Sequence, residues 1–559
     1  MNLRQLLVRN FRGIQHLNWV PNGQAICLVG SGDATKTTIL DAIEWCLSPR
    51  WSLPISDADF HGVVVNQPIV IEATVGEVPA ALLSDQKYGL DQRGWGPDGL
   101  RDEPADDDES VLTIRLTIDD SLEPLWEVVN DRQPEPRRVS ARDREALGAT
   151  RVGSDVERHL TWGRGSALLR MTGSTDEMER TLADAHRTAR QTVNKADLAA
   201  LVEASQVASE AATDLGAGRR DTYSPALDPG AMGMGAAALG LHEGAIPVRA
   251  AGLGSRRLAA LAVQRRSFRE GAIVLIDEIE AGLEPHRLRH LLRTLRAGES
   301  GQVLMTTHSP ITVVELPCQH LRVVISDGAT TTVQELPGEL QAAVRAAPEA
   351  LLGRRVIVCE GKTEVGLCRA LDLSWTEARG VPPADRGVVV VPGEGTSAPR
   401  TALAFASLRY PTALLADSDV ANDPDEAALA AGDVKAFIWE GEASTEERVA
   451  LDVPWDVLMA IVDRARELFD EDVPEAATNA IATRLGADQG TGPEEWREGG
   501  FGEAEIRAAI GRTAKSARWF KRTDLGEILG RIVVDALPRM PDTDLATKLD
   551  GLADWAYDP

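Results

Sequence analysis

The sequence predicts an α/β protein made of two α/β units in tandem, the first interrupted by a helical insert. Three observations carry this. An apolar strand, Ala25–Val29, runs through a glycine-containing loop into the helix pattern Ile39, Ala42, Ile43, Cys46. A strand–helix–strand rhythm returns at Ile273–Ile276, 285–296 and Val303–Thr306, and a second one begins at Arg355. Between the first two lies 174–215, rich in Ala, Glu, Arg and Leu and free of proline, which predicts one or two long helices.

The elements follow in order. Leu3–Val8 reads as a strand ahead of Ala25–Val29, and stretches near 62–77 and 111–130 read as meander strands. The acidic, Gly/Pro-rich stretch Gly94–Ser110 between them is expected to be a solvated loop. Residues 216–246 are Gly-, Ala- and Met-rich and are expected to be irregular, and 336–353 reads as a helical connector. The second unit reads as strand 355–359, helix 363–371, strand 388–392, helix 399–408 and strand 412–416, and turns mostly helical beyond 440. No internal repeat is visible. The expected boundaries are 1–173 and 216–340 for two lobes of the first unit, 174–215 for the insert and 354–559 for the second unit.

A chain of 559 residues exceeds one ordinary core. A hydrophobic content of 43% is that of folded globular protein. The formal charge of −27 is the wrong sign for binding nucleic acid with the whole surface, so any such contact needs a local basic patch or bound cations. Cys27, Cys46, Cys318, Cys359 and Cys368 are scattered, odd in number and without a C-x-x-C pair, which argues against a disulfide framework or a zinc site. No apolar run is long enough to span a bilayer, and the N-terminus has no signal core, so the expectation is a cytoplasmic protein with no membrane partner.

Gly30-Ser31-Gly32-Asp33-Ala34-Thr35-Lys36-Thr37-Thr38 follows a strand and opens a helix, the context of a phosphate-binding loop. There, backbone N–H groups cradle phosphates, Lys36 reaches the β/γ-phosphates and Thr37 binds Mg²⁺. Thr35 stands where the pattern has glycine. Ile273–Ile276 is an apolar strand ending in Asp277-Glu278, suited to holding Mg²⁺ through water and polarising an attacking water. Between them sits Gly252-Leu253-Gly254-Ser255-Arg256-Arg257, and beyond them Glu280-Ala281-Gly282-Leu283-Glu284-Pro285 and Met305-Thr306-Thr307-His308.

These segments in this order, with the opening Val8-Arg9-Asn10-Phe11-Arg12-Gly13, resemble the ATPase head of the ABC/SMC/RecF class. The resemblance implies an ATP site. Gly30, Gly32, Lys36, Thr37 and Thr38 would form the Walker A loop, Gly254 and Ser255 the signature motif, Asp277 and Glu278 Walker B, and His308 the switch histidine. It also implies a head-to-head homodimer in which the signature caps nucleotide held by the partner; separately, the helical insert 174–215 cannot bury its apolar face alone and is expected to hold a homodimer independently of ATP.

In the second half, strand Val356–Cys359 ends in Glu360-Gly361-Lys362-Thr363-Glu364, and strand Ala413–Ala416 ends in Asp417-Ser418-Asp419. Parallel strands bring their C-terminal ends to one sheet edge, so Glu360, Asp417 and Asp419 could converge. Packed carboxylates need a divalent cation, and oxygen ligands favour Mg²⁺ or Mn²⁺. The pair resembles the Toprim domain. An ATPase head followed by Toprim resembles the OLD (overcoming lysogenization defect) family nucleases, which include the nuclease of the Gabija antiphage system.

That family implies a metal-dependent DNA endonuclease in antiphage defence or DNA processing, and makes a helicase partner plausible. The segment Trp439-Glu440 with Ser444-Thr445-Glu446-Glu447 looks like the one supplying a further acid, Glu446 or, one residue off, Glu447. Arg518-Trp519-Phe520-Lys521-Arg522 looks like the one carrying a catalytic lysine, Lys521, with Lys515 as the alternative. The implied ligands are Glu360, Glu364, Asp417, Asp419 and Glu446, enough for two cations. Arg507, Arg512, Lys515, Arg518, Lys521 and Arg522 form the expected phosphate-binding patch. Two other readings compete: an ATP-gated DNA-binding or assembly protein with a non-cleaving Toprim scaffold, and a RecF-like repair ATPase.

Overall fold

The structure, a computed structural model, describes residues 1–133, 135–147, 149–152, 156–163, 166–172, 176–195, 199–214, 239–267, 271–297, 301–469 and 475–558. The first half holds two sheets. In one, β1 (Asn2–Phe11), β2 (Ile14–Trp19), β4 (Ile69–Gly76), β7 (Glu109–Ile118), β5 (Arg93–Gly96) and β6 (Gly99–Arg101) run in the order β2-β1-β4-β7-β5-β6. β8 (Pro124–Val128) also pairs with β7, and β9 (Arg137–Arg138) with β8. Its pairings are antiparallel, and alternate β1 residues such as Leu6 and Val8 face the core.

The second sheet contains β3 (Ala25–Val29), β10 (Ala149–Val152), β13 (Ile273–Ile276), β14 (Val303–Thr306), β15 (Leu321–Ser326) and β16 (Thr331–Glu335), in the order β10-β13-β14-β3-β15-β16. All pairings are parallel except β15 with β16. All five residues of β3 are buried, as a central parallel strand requires. The helix Lys36–Leu47 leaves β3 through the candidate P-loop and buries Ile39, Ala42, Ile43 and Cys46.

The insert forms two helices, Asp176–Lys195 and Ala199–Asp214. Of the stretch expected to be irregular, 216–238 lies outside the described residues. Further on, β11 (His242–Glu243) and β12 (Ile246–Pro247) form a small hairpin.

The strand expected near 62–77 spans Ile69–Gly76. One expectation is corrected here. The acidic stretch 94–110 is not a solvated loop, because β5 and β6 pair as a hairpin and β5 extends onto β7. Arginines neutralise its acids: Arg93 lies 2.5 Å from Asp102, and Arg101 reaches Asp98 (2.7 Å) and Asp108 (3.5 Å).

The second half is built on an all-parallel sheet of β17 (Arg355–Cys359), β18 (Val388–Pro392), β19 (Thr412–Ala416) and β20 (Val434–Ile438), in the order β18-β17-β19-β20. Helix Lys362–Arg379 packs closely on helix Thr523–Ala536. Glycine makes this possible, since a Cβ on Gly366 would lie 2.4 Å from the Glu527 nitrogen. The connector 336–353 is helical but broken into short turns at Pro337 and Pro348. It is not a free linker: Leu340, Val344 and Leu351 are fully buried in a core that also contains Cys27 and Val29 of β3 and Val356 and Val358 of β17.

Candidate active sites at two sheet edges

The C-terminal ends of β3, β13 and β14 meet at one edge of the first half's parallel sheet. Gly30 takes φ +146°, and a Cβ there would lie 2.5 Å from the Val324 carbonyl oxygen, so only glycine fits. Lys36 curls back, its Nζ donating to the carbonyls of Gly30 (2.9 Å) and Ser31 (2.6 Å). Burial lowers its pKa to about 8, although Asp277, Asp33 and Glu280 pull the other way. Thr37 Oγ1 donates to Asp277 Oδ1 at 3.1 Å, which places the predicted loop and the predicted acid together.

Glu278 and His308 are exposed beside this edge. The Glu278 amide donates to Thr306 Oγ1 (2.8 Å), whose hydroxyl donates to Asp277 (2.6 Å). The His308 amide and the Thr307 hydroxyl both donate to Glu280, at 2.7 Å each. Gly254 packs on Gly282, and Ser255 Oγ accepts from Arg287 at 3.0 Å. Among the described residues Ser255 makes no hydrogen bond to the P-loop.

Two arginines to which the sequence assigns no role enter this site. Arg257 is buried and donates to the carbonyls of Asp277 (2.7 Å), Glu278 (2.7 Å) and Ala281 (3.0 Å), tying the Gly254-Ser255 helix to the acids. Arg151 reaches Asp277 Oδ2 at 2.6 Å. Arginine is common in this sequence, and neither position carries a signal that would single it out.

Thr35, where the loop pattern has glycine, adopts φ 60°, ψ 16°, the left-handed region that a β-branched residue avoids. Its Oγ1 is buried without a partner, and a Cβ on Gly13 would lie 2.8 Å from its Cγ2, so the side chain is accommodated only because residue 13 is glycine. Thr35→Gly is expected to stabilise the protein by about 1 kcal/mol, since αL strain in a non-glycine residue costs roughly 1–2 kcal/mol. Nucleotide affinity should rise with it. A thermal melt and a nucleotide titration check this, and an unchanged or lower melting temperature rules out strain at Thr35.

At the C-terminal edge of the second sheet, Glu360 follows β17 and Asp417 follows β19. Glu360 Oε2 accepts the Asp417 amide at 2.8 Å. Asp417 Oδ1 accepts both the amide and the hydroxyl of Thr445, each at 2.8 Å, and Trp439 Nε1 donates to the same hydroxyl (2.8 Å). Burial, then the Asp417 charge, pushes the Glu360 carboxyl up to about 7. Burial, then the Glu364 charge, pushes Asp417 up to about 7 as well. Glu364 is buried and also raised, chiefly by burial.

Glu446 rather than Glu447 turns into this cluster. Its Oε1 accepts from Thr363 Oγ1 (3.1 Å) and lies 3.3 Å from Lys521 Nζ. Glu447 instead caps its own helix through the Ser444 amide (3.1 Å). Burial opposes the Lys521 charge, but Glu446, Glu364 and Asp417 outweigh it and raise its pKa. Lys515 also belongs to the site, bridging Asp419 and Glu447. Thr363 and Thr445, which orient Glu446 and Asp417, were not singled out by sequence.

The donor set fits divalent cations. Glu364 Oε1 and Glu446 Oε2 are buried oxygens without a hydrogen-bond partner, and burial, then the charge of neighbouring acids, pushes Glu360 and Asp417 toward neutrality. Among the described residues no three ligands form a ready-made cation site as they stand, with lysines on Asp419 and Glu446.

The expected phosphate patch is smaller than the sequence suggests. Arg507 serves the Ala450 and Val453 carbonyls and Glu503, Arg522 pairs with Asp524, and both lysines pair with site acids. Arg512 and Arg518 remain exposed.

Fold and sites together define a P-loop ATPase unit followed by a Toprim unit. Residues 25–315, just over half of the chain, match the family "AAA domain, putative AbiEii toxin, Type IV TA system". Residues 351–419 match "Overcoming lysogenization defect protein-like, TOPRIM domain". The chain belongs to that AAA-domain family and, with the Toprim domain behind it, has the ATPase–Toprim architecture of the OLD family. Among solved structures, the SmcHead bound to the C-winged helix domain of ScpA is 15% identical, with 61% of this chain and all of that chain covered and a TM-score of 0.35. No curated protein matches. Among the described residues no helix is long and apolar enough to cross a membrane.

Proposed function

We propose that this protein is an ATP-binding and -hydrolysing, divalent-metal-dependent DNA endonuclease. The observation that carries it is the pair of partnerless buried oxygens on Glu364 and Glu446 beside Lys521, at the sheet edge shared with Glu360 and Asp417. Glu360, Glu364, Asp417, Asp419 and Glu446 would hold Mg²⁺ or Mn²⁺, and Lys515 would leave Asp419 to admit the cation. Bound cations would supply an activated water and charge for the leaving oxygen. Lys521 would then turn from Glu446 to the scissile phosphate, with Arg512 and Arg518 meeting the flanking backbone.

In the ATPase unit, the P-loop amides, Lys36, Thr37 and Thr38 would hold the nucleotide phosphates. Glu278 would orient the attacking water, and His308 would face the γ-phosphate. Ser255 would cap nucleotide on a second copy of the chain. Incubation of supercoiled plasmid with the protein under Mg²⁺, Mn²⁺ or EDTA, with and without ATP, tests the nuclease reading. Cleavage in EDTA, or none under any condition, overturns it. The latter result would favour a non-cleaving scaffold, a reading supported by the pairing of Lys515 with Asp419 and Glu447.

The insert helices Asp176–Lys195 and Ala199–Asp214 would hold the dimer together without nucleotide. Asp176–Lys195 is amphipathic, and Leu201, Val202 and Val207 of its neighbour are exposed. Deleting 174–215 should leave a monomer in light scattering, and an unchanged dimer mass rejects this role.

Metal binding should depend on pH in one direction. Glu360 and Asp417 hold protons up to about 7 in the metal-free fold, above their ordinary values of 4.5 and 3.8. Their contribution to stability is therefore full below the ordinary values and is lost as pH rises through 7. Cations must displace those protons, so Mn²⁺ affinity should climb between pH 5 and 8 and then level off. Calorimetry in buffers of different ionisation enthalpy should show proton release at pH 6 and little at pH 9. Equal release at both would exclude these carboxyls as ligands.

A further inference from the structure

Arg151 lies on β10, the edge strand paired in parallel with β13, and its neighbour Val152 is in register with Ile276. This brings its guanidinium to the strand end where Asp277 begins. The side chain is only 13% exposed. It donates to Asp277 Oδ2 (2.6 Å), forms a close ion pair with Asp41 and lies 3.4 Å from Glu44. Asp277 Oδ1 already accepts from Thr306 (2.6 Å) and Thr37 (3.1 Å). The carboxylate expected to serve magnesium thus already takes three donors, one of them a full positive charge.

We propose that Arg151 is a resident counter-cation that competes with magnesium for Asp277. The inference rests on reading the P-loop as a nucleotide site. A dication arriving with nucleotide would meet the guanidinium on the same carboxylate, and like charges repel there. Arg151 has somewhere to go. Asp41 and Glu44 both lie on the helix that follows the P-loop, and Asp41 is fixed in place by Arg12, which also holds Asp59 at 2.8 Å. One guanidinium nitrogen holds Asp41 and Glu44 while the other holds Asp277, and with magnesium bound only the contact to Asp277 is given up. Arg151 is a positioning residue that sets how much magnesium the nucleotide site requires.

The test is binding of a fluorescent ATP analogue during a magnesium titration, with a parallel arm in EDTA. Arg151→Gln should lower the magnesium concentration at half-maximal binding by about tenfold, the size expected for one charge-assisted hydrogen bond. Its binding in EDTA should stay at the parent level. Arg151→Lys should restore much of the parent's requirement. Asp41→Asn removes the competing full charge and leaves the guanidinium to Asp277 and Glu44, so it should raise the requirement, and it carries the test if Arg151→Gln does not fold. An unchanged magnesium requirement in these variants overturns the proposal. Loss of binding in EDTA by Arg151→Gln also overturns it, since the guanidinium would then be a phosphate ligand. Lys36→Ala separates this from the underlying reading: if it binds like the parent, the P-loop is not the nucleotide site and both fall.

Discussion

Asp417→Ala is expected to reduce metal-dependent DNA cleavage to background while ATP hydrolysis continues. Asp417 is 6% exposed and sits between Glu360, Glu364 and Thr445, so its loss removes the central carboxylate of the cluster. Two effects on the fold oppose each other. The Thr445 amide and hydroxyl lose their acceptor, which costs roughly 1–3 kcal/mol. Repulsion from Glu360 and Glu364 is relieved, which offsets part of that. Asp417→Asn keeps an acceptor for Thr445 and isolates the charge. Both variants should bind Mn²⁺ poorly. Lys521→Ala should instead keep metal binding and lose cleavage by about a hundredfold or more, as removal of one charge-stabilising donor does. The readout is plasmid nicking alongside Mn²⁺ titration, and cleavage that survives Asp417→Ala would sink the metal-site assignment.

Lys36→Ala should abolish nucleotide binding, and with it ATP hydrolysis. The ammonium is held inside the loop by the Gly30 and Ser31 carbonyls, 3% exposed, and no other lysine reaches them among the described residues. Removing it leaves Asp277, Asp33 and Glu280 facing incoming phosphates without that counter-charge. Glu278→Gln should do the reverse. Glu278 is exposed, its backbone is fixed by Thr306, and the amide keeps the shape while removing the charge that polarises water. Nucleotide should bind to this variant and persist unhydrolysed. Equilibrium dialysis with labelled ATP separates the two, and a Lys36→Ala protein that binds ATP like the parent places the site elsewhere.

The parallel strands were legible because each is a short apolar run closed by acids or glycine. Ile273–Ile276, Arg355–Cys359, Val388–Pro392 and Thr412–Ala416 fall where the pattern places them. The 93–101 hairpin was not legible. Acids and glycines mark a solvated loop equally well, and what sets the hairpin apart is the pairing of Arg93 with Asp102 across it and of Arg101 with Asp98 at its turn. The choice between Glu446 and Glu447 was open in sequence, yet a signal was present. Ser444 with Glu447 three residues on is a capping box, which commits Glu447 to the helix start and frees Glu446. Lys521 is preferred to Lys515 on the resemblance alone; both reach the acidic edge, Lys521 at Glu446 and Lys515 at Asp419 and Glu447, and no local pattern separates them. Arg151 had no local signature, since its meaning comes from a pairing 126 residues away.

The connector that carries Leu340, Val344 and Leu351 into the shared core makes the two units a welded body rather than a jointed one. A swing of one unit against the other would have to pull these side chains into water, on the order of 5–9 kcal/mol for the three. That rivals the whole free energy of a micromolar ligand, about 8 kcal/mol. Nucleotide binding alone would spend most of its free energy on swinging the Toprim unit through a large arc. The smaller route from the phosphate loop to the carboxylate edge runs through the shared core itself, where Cys27 and Val29 of β3 meet Val356 and Val358 of β17.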